Sequence, residues 1–130
     1  MPDSIRYLRA CTTERDRILV TWFAPEVFVF TDRGFAAGHS YFIRRAFYAL
    51  DYQRQMVARL EQERAPIALL NLGQDQDWFR TRFHLLQQYV DEKYAVVGTD
   101  RFRDDSVAIA IRRNSRPAGV YADTDWPCFR

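Results

Sequence analysis

Lysine is nearly missing from this chain: Lys93 stands alone, and the rest of its 19 basic residues are arginine. Histidine is scarce as well, with only His39 and His84, and cysteine is limited to Cys11 and Cys128. Neither cysteine belongs to a CxxC pair, which removes a zinc ribbon and a thioredoxin-like redox site. Two cysteines and two histidines so widely spread make a poor ligand set, so no metal is expected. There is no GxxxxGK[ST], no GxGxxG and no GxSxG. The phosphate-cradling loop, the dinucleotide fingerprint and the serine hydrolase elbow are therefore absent. A phosphate-accepting receiver needs acids after its first strand and a lysine after a late one, and neither is in place. No cofactor is expected. The longest apolar run, "ILVTWFAPEVFVF" at 18–30, is broken by Pro25 and Glu26 and is too short to span a bilayer as a helix. No secretory signal pattern opens the chain. The net charge of +2 comes without a basic run, which argues against a nucleic-acid partner.

What the chain does have is apolar mass. Of its 130 residues, 48% are hydrophobic and 15% aromatic. That is enough to bury the core of one domain, so a single α/β domain over 1–130 is expected, with an irregular tail at 114–130. Ile5 and Leu8 predict a short first helix capped by Asp3 or Ser4. "RILVTWF" at 17–23 reads as a buried strand, and "VFVFT" at 27–31 as a second, separated by Pro25. Tyr52, Met56, Val57 and Leu60 share one face of a helix over 51–64, with Asp51 as cap and Pro66 beyond the stop. "IALLNL" at 67–72 is apolar throughout, a strand covered on both faces. Phe79, Phe83, Leu86 and Val90 predict a helix over 76–91. "YAVVGT" at 94–99 and "SVAIAIRR" at 106–113 are the last strands, joined by a hairpin loop at "DRFRDD". The alternation predicts a small three-layer, Rossmann-like α/β domain. Its sheet would be mostly parallel, of about five strands, with an antiparallel C-terminal edge hairpin.

The chemistry concentrates in "TDRGFAAGHSYF". Arg33, Gly34, Gly38 and His39 could form an anion-binding corner, because glycine clears space and arginine forks onto phosphate oxygens. The other reading is a plain turn, with Arg33 paired to Asp32 or Glu26. On this basis the corner should sit at the carboxyl end of a strand 27–31, on the rim of the sheet. His84 lies within an amphipathic helix and reads as a flank residue rather than a general base. Nothing supplies a paired acid, a nucleophile with its base, or a metal set, so no catalytic residue is assigned. The two cysteines are open between free thiols and a disulfide tying the termini, the latter only in an oxidising compartment.

Three runs resemble a known pattern: "DRILVTWFAPEVFVFTDRGFAAGHSYF", "QRQMVARLEQERAPIALL" and "FHLLQQYVDEKYAVVG". They are similar to the soluble segment after the last membrane helix of bacterial polytopic C-type glycosyltransferases, relatives of the dolichyl-phosphate-mannose protein mannosyltransferases. The matching positions are Pro25, Glu26, Arg33, Phe35, Ala36, Gly38, Gln55, Leu60, Pro66 and Tyr94, spanning residues 15–113. Ala37 departs from the glycine of the "FAGG" pattern. The resemblance implies a non-catalytic accessory domain on the extracytoplasmic (periplasmic) face of the inner membrane. The domain would be part of a larger chain that takes sugar from a polyprenyl-phosphate carrier. Its partner would be the membrane-embedded remainder of that chain, with help to an acceptor glycan or a lipid phosphate as a further role. That location favours a Cys11–Cys128 disulfide. The alternative is a free-standing soluble α/β ligand-binding protein or small enzyme whose site is the 33–39 corner.

Overall fold

The structure, a computed structural model, describes residues 1–39, 42 and 49–130; Ser40 and Tyr41 of the glycine-rich stretch lie outside them. The chain opens with helix α1 (Asp3–Cys11), whose Ile5, Tyr7, Leu8 and Cys11 are buried. Its N-cap is Pro2, not Asp3 or Ser4, and Asp3 stands in the first turn, where a carboxylate suits the helix dipole. Strand β1 (Arg17–Val20) follows and ends three residues earlier than its composition suggests.

The stretch expected to form a strand at 27–31 is instead helix α2 (Pro25–Thr31). Pro25 takes the first helical position, where its missing N–H costs nothing, and Glu26 lies in the first turn. Val27 and Thr31, four apart, are the buried pair, which is helical and not strand spacing. Asp32 closes the helix in the left-handed region at φ 55° and donates its N–H to the Phe28 carbonyl at 2.9 Å. A two-residue strand β2 (Gly34–Phe35) and a 3₁₀ turn (Ala36–Gly38) come next.

Helix α3 (Leu50–Gln62) buries Met56 and Leu60 as its spacing predicts, although Ala49, not Asp51, is the cap. Strand β3 (Ile67–Asn71) is buried along most of its length. The helix expected over 76–91 is broken into α4 (Asp75–Arg82) and α5 (His84–Lys93) at Phe83, whose φ of −115° and ψ of 42° leave the helical region. The break keeps Phe79 and Phe83 stacked at 5.3 Å between ring centres, with Phe42 edge-on to both. Strands β4 (Tyr94–Phe102) and β5 (Asp105–Arg112) are joined by a tight turn at Arg103–Asp104. The tail is not wholly irregular: β6 (Gly119–Val120) and β7 (Pro127–Cys128) pair antiparallel.

The five main strands order as β2-β1-β3-β5-β4. β1 runs parallel to β2 and β3, whereas β5 is antiparallel to both β3 and β4. The sheet is mixed and its longer ladders are antiparallel, which corrects the expectation of a mostly parallel sheet. The hairpin is at the edge only through β4. β5 lies in the interior because Val107–Ile111 is buried on both faces, whereas β4 carries exposed positions such as Val96.

Side-chain alternation splits the core. Ile18, Val20, Ile67, Leu69, Val107 and Ile109 face α1, Val27 and the C-terminal tail. Leu19, Ala68 and Ala110 face α3, α4 and α5. Helices thus cover both faces of the sheet. The tail is docked by the Cys11–Cys128 disulfide, by the Phe129 N–H donating to the Cys11 carbonyl at 2.9 Å, and by the Tyr7 hydroxyl donating to the Pro127 carbonyl. Trp126 lies over Gly98, where any Cβ would collide with the indole.

Candidate functional site

The 33–39 corner sits beside β1, with Gly34 opposite Arg17 and Phe35 opposite Ile18. That places it near the amino end of β1, on the outer edge of the sheet. It does not lie at the carboxyl end of a strand, because the segment before it is a helix.

Arg33 is committed to the fold. Its Nε donates to the Thr12 hydroxyl at 2.9 Å and its Nη2 to the Thr12 carbonyl at 2.9 Å. Its Nη1 donates to the carbonyls of Thr31 at 3.1 Å and Asp32 at 3.4 Å. The guanidinium thus joins the carboxyl ends of α1 and α2, where helix dipoles present partial negative charge. Neither Asp32 nor Glu26 supplies a carboxylate to it, as the turn reading expected; Glu26 pairs with Arg103 at 2.7 Å. Four of the five N–H groups of a guanidinium are used in this way, which leaves little of the fork for an anion.

The glycines have separate duties. Gly34 makes room for the Arg17 side chain, whose Nη1 donates to the Phe35 carbonyl at 3.2 Å. Gly38 has φ 70° and packs under Arg59. Ala37 stands where the resembled pattern has glycine and also takes a left-handed φ of 61°. It is held there by Glu63, which accepts the Ala37 N–H at 2.8 Å and pairs with Arg17 at 3.3 Å. His39 is half-buried, and its Nδ1 lies 2.9 Å from the Tyr52 hydroxyl. Burial holds its pKa below the ordinary imidazole value. A cleft of about 90 Å³ adjoins Gly38 and is lined by Tyr52, Gln55 and Arg59. Arg59, rather than Arg33, is its arginine.

The remaining candidates separate. His84 opens α5 and is exposed. Among the described residues, no three of His, Cys, Asp and Glu gather to hold a metal. Cys11 and Cys128 are joined, their Cα atoms 4.5 Å apart. Among the described residues, no helix is long and apolar enough to cross a membrane.

Two features escaped the sequence reading. The first is an apolar ridge on and beside α2. Phe23 is 55% exposed, Val29 73%, Phe30 50% and Phe35 38%, and Phe28 meets Phe35 edge-on at 6.1 Å. Reading 27–31 as a strand put half of these residues inside, and only helical spacing turns Val29 and Phe30 outward together. The second is a cluster built around Arg112. Its Nη1 donates to the Leu60 carbonyl at 3.2 Å, and its Nη2 reaches the Tyr89 hydroxyl at 2.7 Å and Glu61 at 3.2 Å. Burial pushes the Tyr94 phenol beside it up to about 12, against the pull of Arg112. No known protein family, curated protein or solved structure matches the chain.

Proposed function

We propose that the chain is a non-catalytic accessory domain of a bacterial membrane glycosyltransferase that uses a polyprenyl-phosphate-linked sugar. It would dock on the membrane-embedded remainder of the same chain, at the extracytoplasmic face. The observation that carries this reading is the apolar ridge of Phe23, Val29, Phe30 and Phe35. Large apolar side chains gathered on and beside one two-turn helix mark a surface made to be covered. The ridge is nearly free of charge, since the one acid of α2, Glu26, is neutralised by Arg103. That suits an apolar, helical membrane domain better than a polar partner. Covering the exposed halves of four such side chains would contribute about 4 kcal/mol.

The disulfide supports the placement, because such bonds persist outside the reducing cytosol. The committed state of Arg33 agrees with a supporting role. The test uses the complete reading frame that contains this chain. A photo-crosslinker at Val29 or Phe30 should join the ridge to an apolar helix of the same polypeptide, and Phe30→Asp should lower sugar transfer. Cross-linking only to a separate soluble protein, or a reading frame without membrane helices, would overturn the proposal. So would sugar transfer by the 130-residue chain alone.

A further inference from the structure

Arginines that alternate with acids along the sequence are gathered by the fold at one end of the sheet. β1 begins at Arg17, β5 ends at Arg112, the link from α3 to β3 carries Arg64, and the segment between β5 and β6 carries Arg116. Arg64, Arg112 and Arg116 line a single cleft of about 230 Å³, together with Asn114, Ser115 and Phe129. Two carboxylates also reach its wall, and both are engaged. Asp16 is buried and accepts the Thr13 N–H at 2.8 Å, besides meeting Arg64 Nε at 3.3 Å. Glu63 is held by the Ala37 N–H and Arg17.

The guanidinium groups are not matched in the same way. Arg112 is held by Asn114, the Leu60 carbonyl, Tyr89 and the Glu61 carboxylate, so it is an immobile charge that Glu61 partly offsets. Arg64 spends only Nε, and its terminal nitrogens make no hydrogen bond among the described residues. The side chain of Arg116 is exposed and makes no hydrogen bond or ion pair among the described residues. Two open forks therefore line one cleft beside a third, immobile charge. A carboxylate fills one fork, whereas a phosphate monoester or a pyrophosphate has oxygens for both.

We propose that this cleft binds a phosphate-bearing anion, gripped by Arg64 and Arg116, with Arg112 as fixed charge and Phe129 as an apolar wall. The inference is independent of the docking ridge, which belongs to a different face, and it locates phosphate recognition away from the 33–39 corner. Phe129 reaches the cleft because the neighbouring disulfide and its own N–H bond to Cys11 hold the tail there.

Titration calorimetry with inorganic pyrophosphate at low ionic strength tests the site on the 130-residue chain. One saturable site is expected. Arg116→Ala, which breaks no contact of the fold, should weaken binding at least tenfold. Arg64→Ala should do the same while Asp16 keeps its Thr13 partner, and Arg64→Lys should fall between. Arg54→Ala, outside the cleft, should change nothing. A parallel flotation assay with phosphatidylcholine vesicles, with and without phosphatidic acid, separates the sources of the phosphate. Binding to the acidic vesicles alone identifies a lipid head group, and binding to pyrophosphate alone identifies a free phosphate. Either supports the site if Arg116→Ala abolishes it. No saturable binding in either assay, or equal losses with Arg54→Ala and Arg116→Ala, would overturn it.

Discussion

Arg33 and Arg116 show what an arginine in a suggestive context does and does not mean. Arg33 sits in the glycine-rich stretch that looks like a phosphate corner, and the fold uses its guanidinium to close two helices. Arg116 sits in a tail with no motif, and its fork is open in a cleft beside two other arginines. The difference lies in which backbone acceptors are near. Helix ends leave carbonyls unsatisfied, and Arg33 follows α2 directly while facing the end of α1, so it is drawn to them. Arg116 lies beyond the last long strand, and the nearby ends of α3 and α5 take up Arg112 and Arg113 instead. The chemistry of a side chain is open to a ligand only after the fold has taken what it needs.

The largest effect should come from the bond that holds the cleft wall. Cys128→Ser opens a link between residues 117 apart and should cost about 4 kcal/mol of stability in denaturant unfolding, on chain entropy alone. The Phe129 amide should lose its exchange protection while Arg33 and its partners keep theirs. Equal loosening of both regions would mean that the two corners are one cooperative unit.

Arg33→Ala comes next. It leaves the carbonyls of Thr12 and Thr31 without their charged donor and should cost about 2–3 kcal/mol. Pyrophosphate binding should be unchanged. A stable Arg33→Ala chain with lost binding would reverse the assignment of the two arginines.

Alkaline pH should act on the cleft from beneath. Tyr94 donates its hydroxyl to the Ala65 carbonyl at 2.7 Å, and burial raises its pKa from 10.0 to about 12. The folded state thus prefers the neutral phenol. That stability is fully present below pH 10 and is lost as the pH climbs from 10 to about 12, a fall of about 2–3 kcal/mol. Tyr7, also raised by burial, should add to the same alkaline limb. Tyr94→Phe should flatten part of it, as read from unfolding midpoints across that range.

The smallest effect belongs to His39, at the far end of the 33–39 corner. His39 has a lowered pKa in the fold because burial disfavours its charged form. The unfolded chain therefore takes up the proton first. The contribution of His39 is present above the ordinary value of 6.5 and declines as the pH falls below it. His39→Asn should remove that decline in acid unfolding curves. An unchanged slope would show that the ring stays charged and solvated in the folded state.

Periodicity was a good guide wherever one face alone is buried. Met56 with Leu60, and Phe79 with Leu86 and Val90, are core residues at helical spacing. It failed at 27–31, where "VFVFT" is apolar on every side. With no polar face to mark the period, β-propensity outweighed the proline and glutamate that start a helix. The break at Phe83 was hidden for a related reason: the same heptad-like spacing suits one helix or two, and only packing against Phe42 and Phe79 distinguishes them.

By itself the sequence determined an α/β domain with a covered core, the hairpin of the last two long strands and the lack of any familiar catalytic motif. These depend on local pattern, which neighbouring residues carry among themselves. Only the tertiary structure decided the strand order, the exposed face of α2, the spent state of Arg33 and the meeting of Arg64, Arg112 and Arg116. Each depends on which distant segments become neighbours. Arg64 and Arg112 approach one another because β3 and β5 pair antiparallel, Ile67 against Ile111, and a charge list along the chain has no means of recording that register.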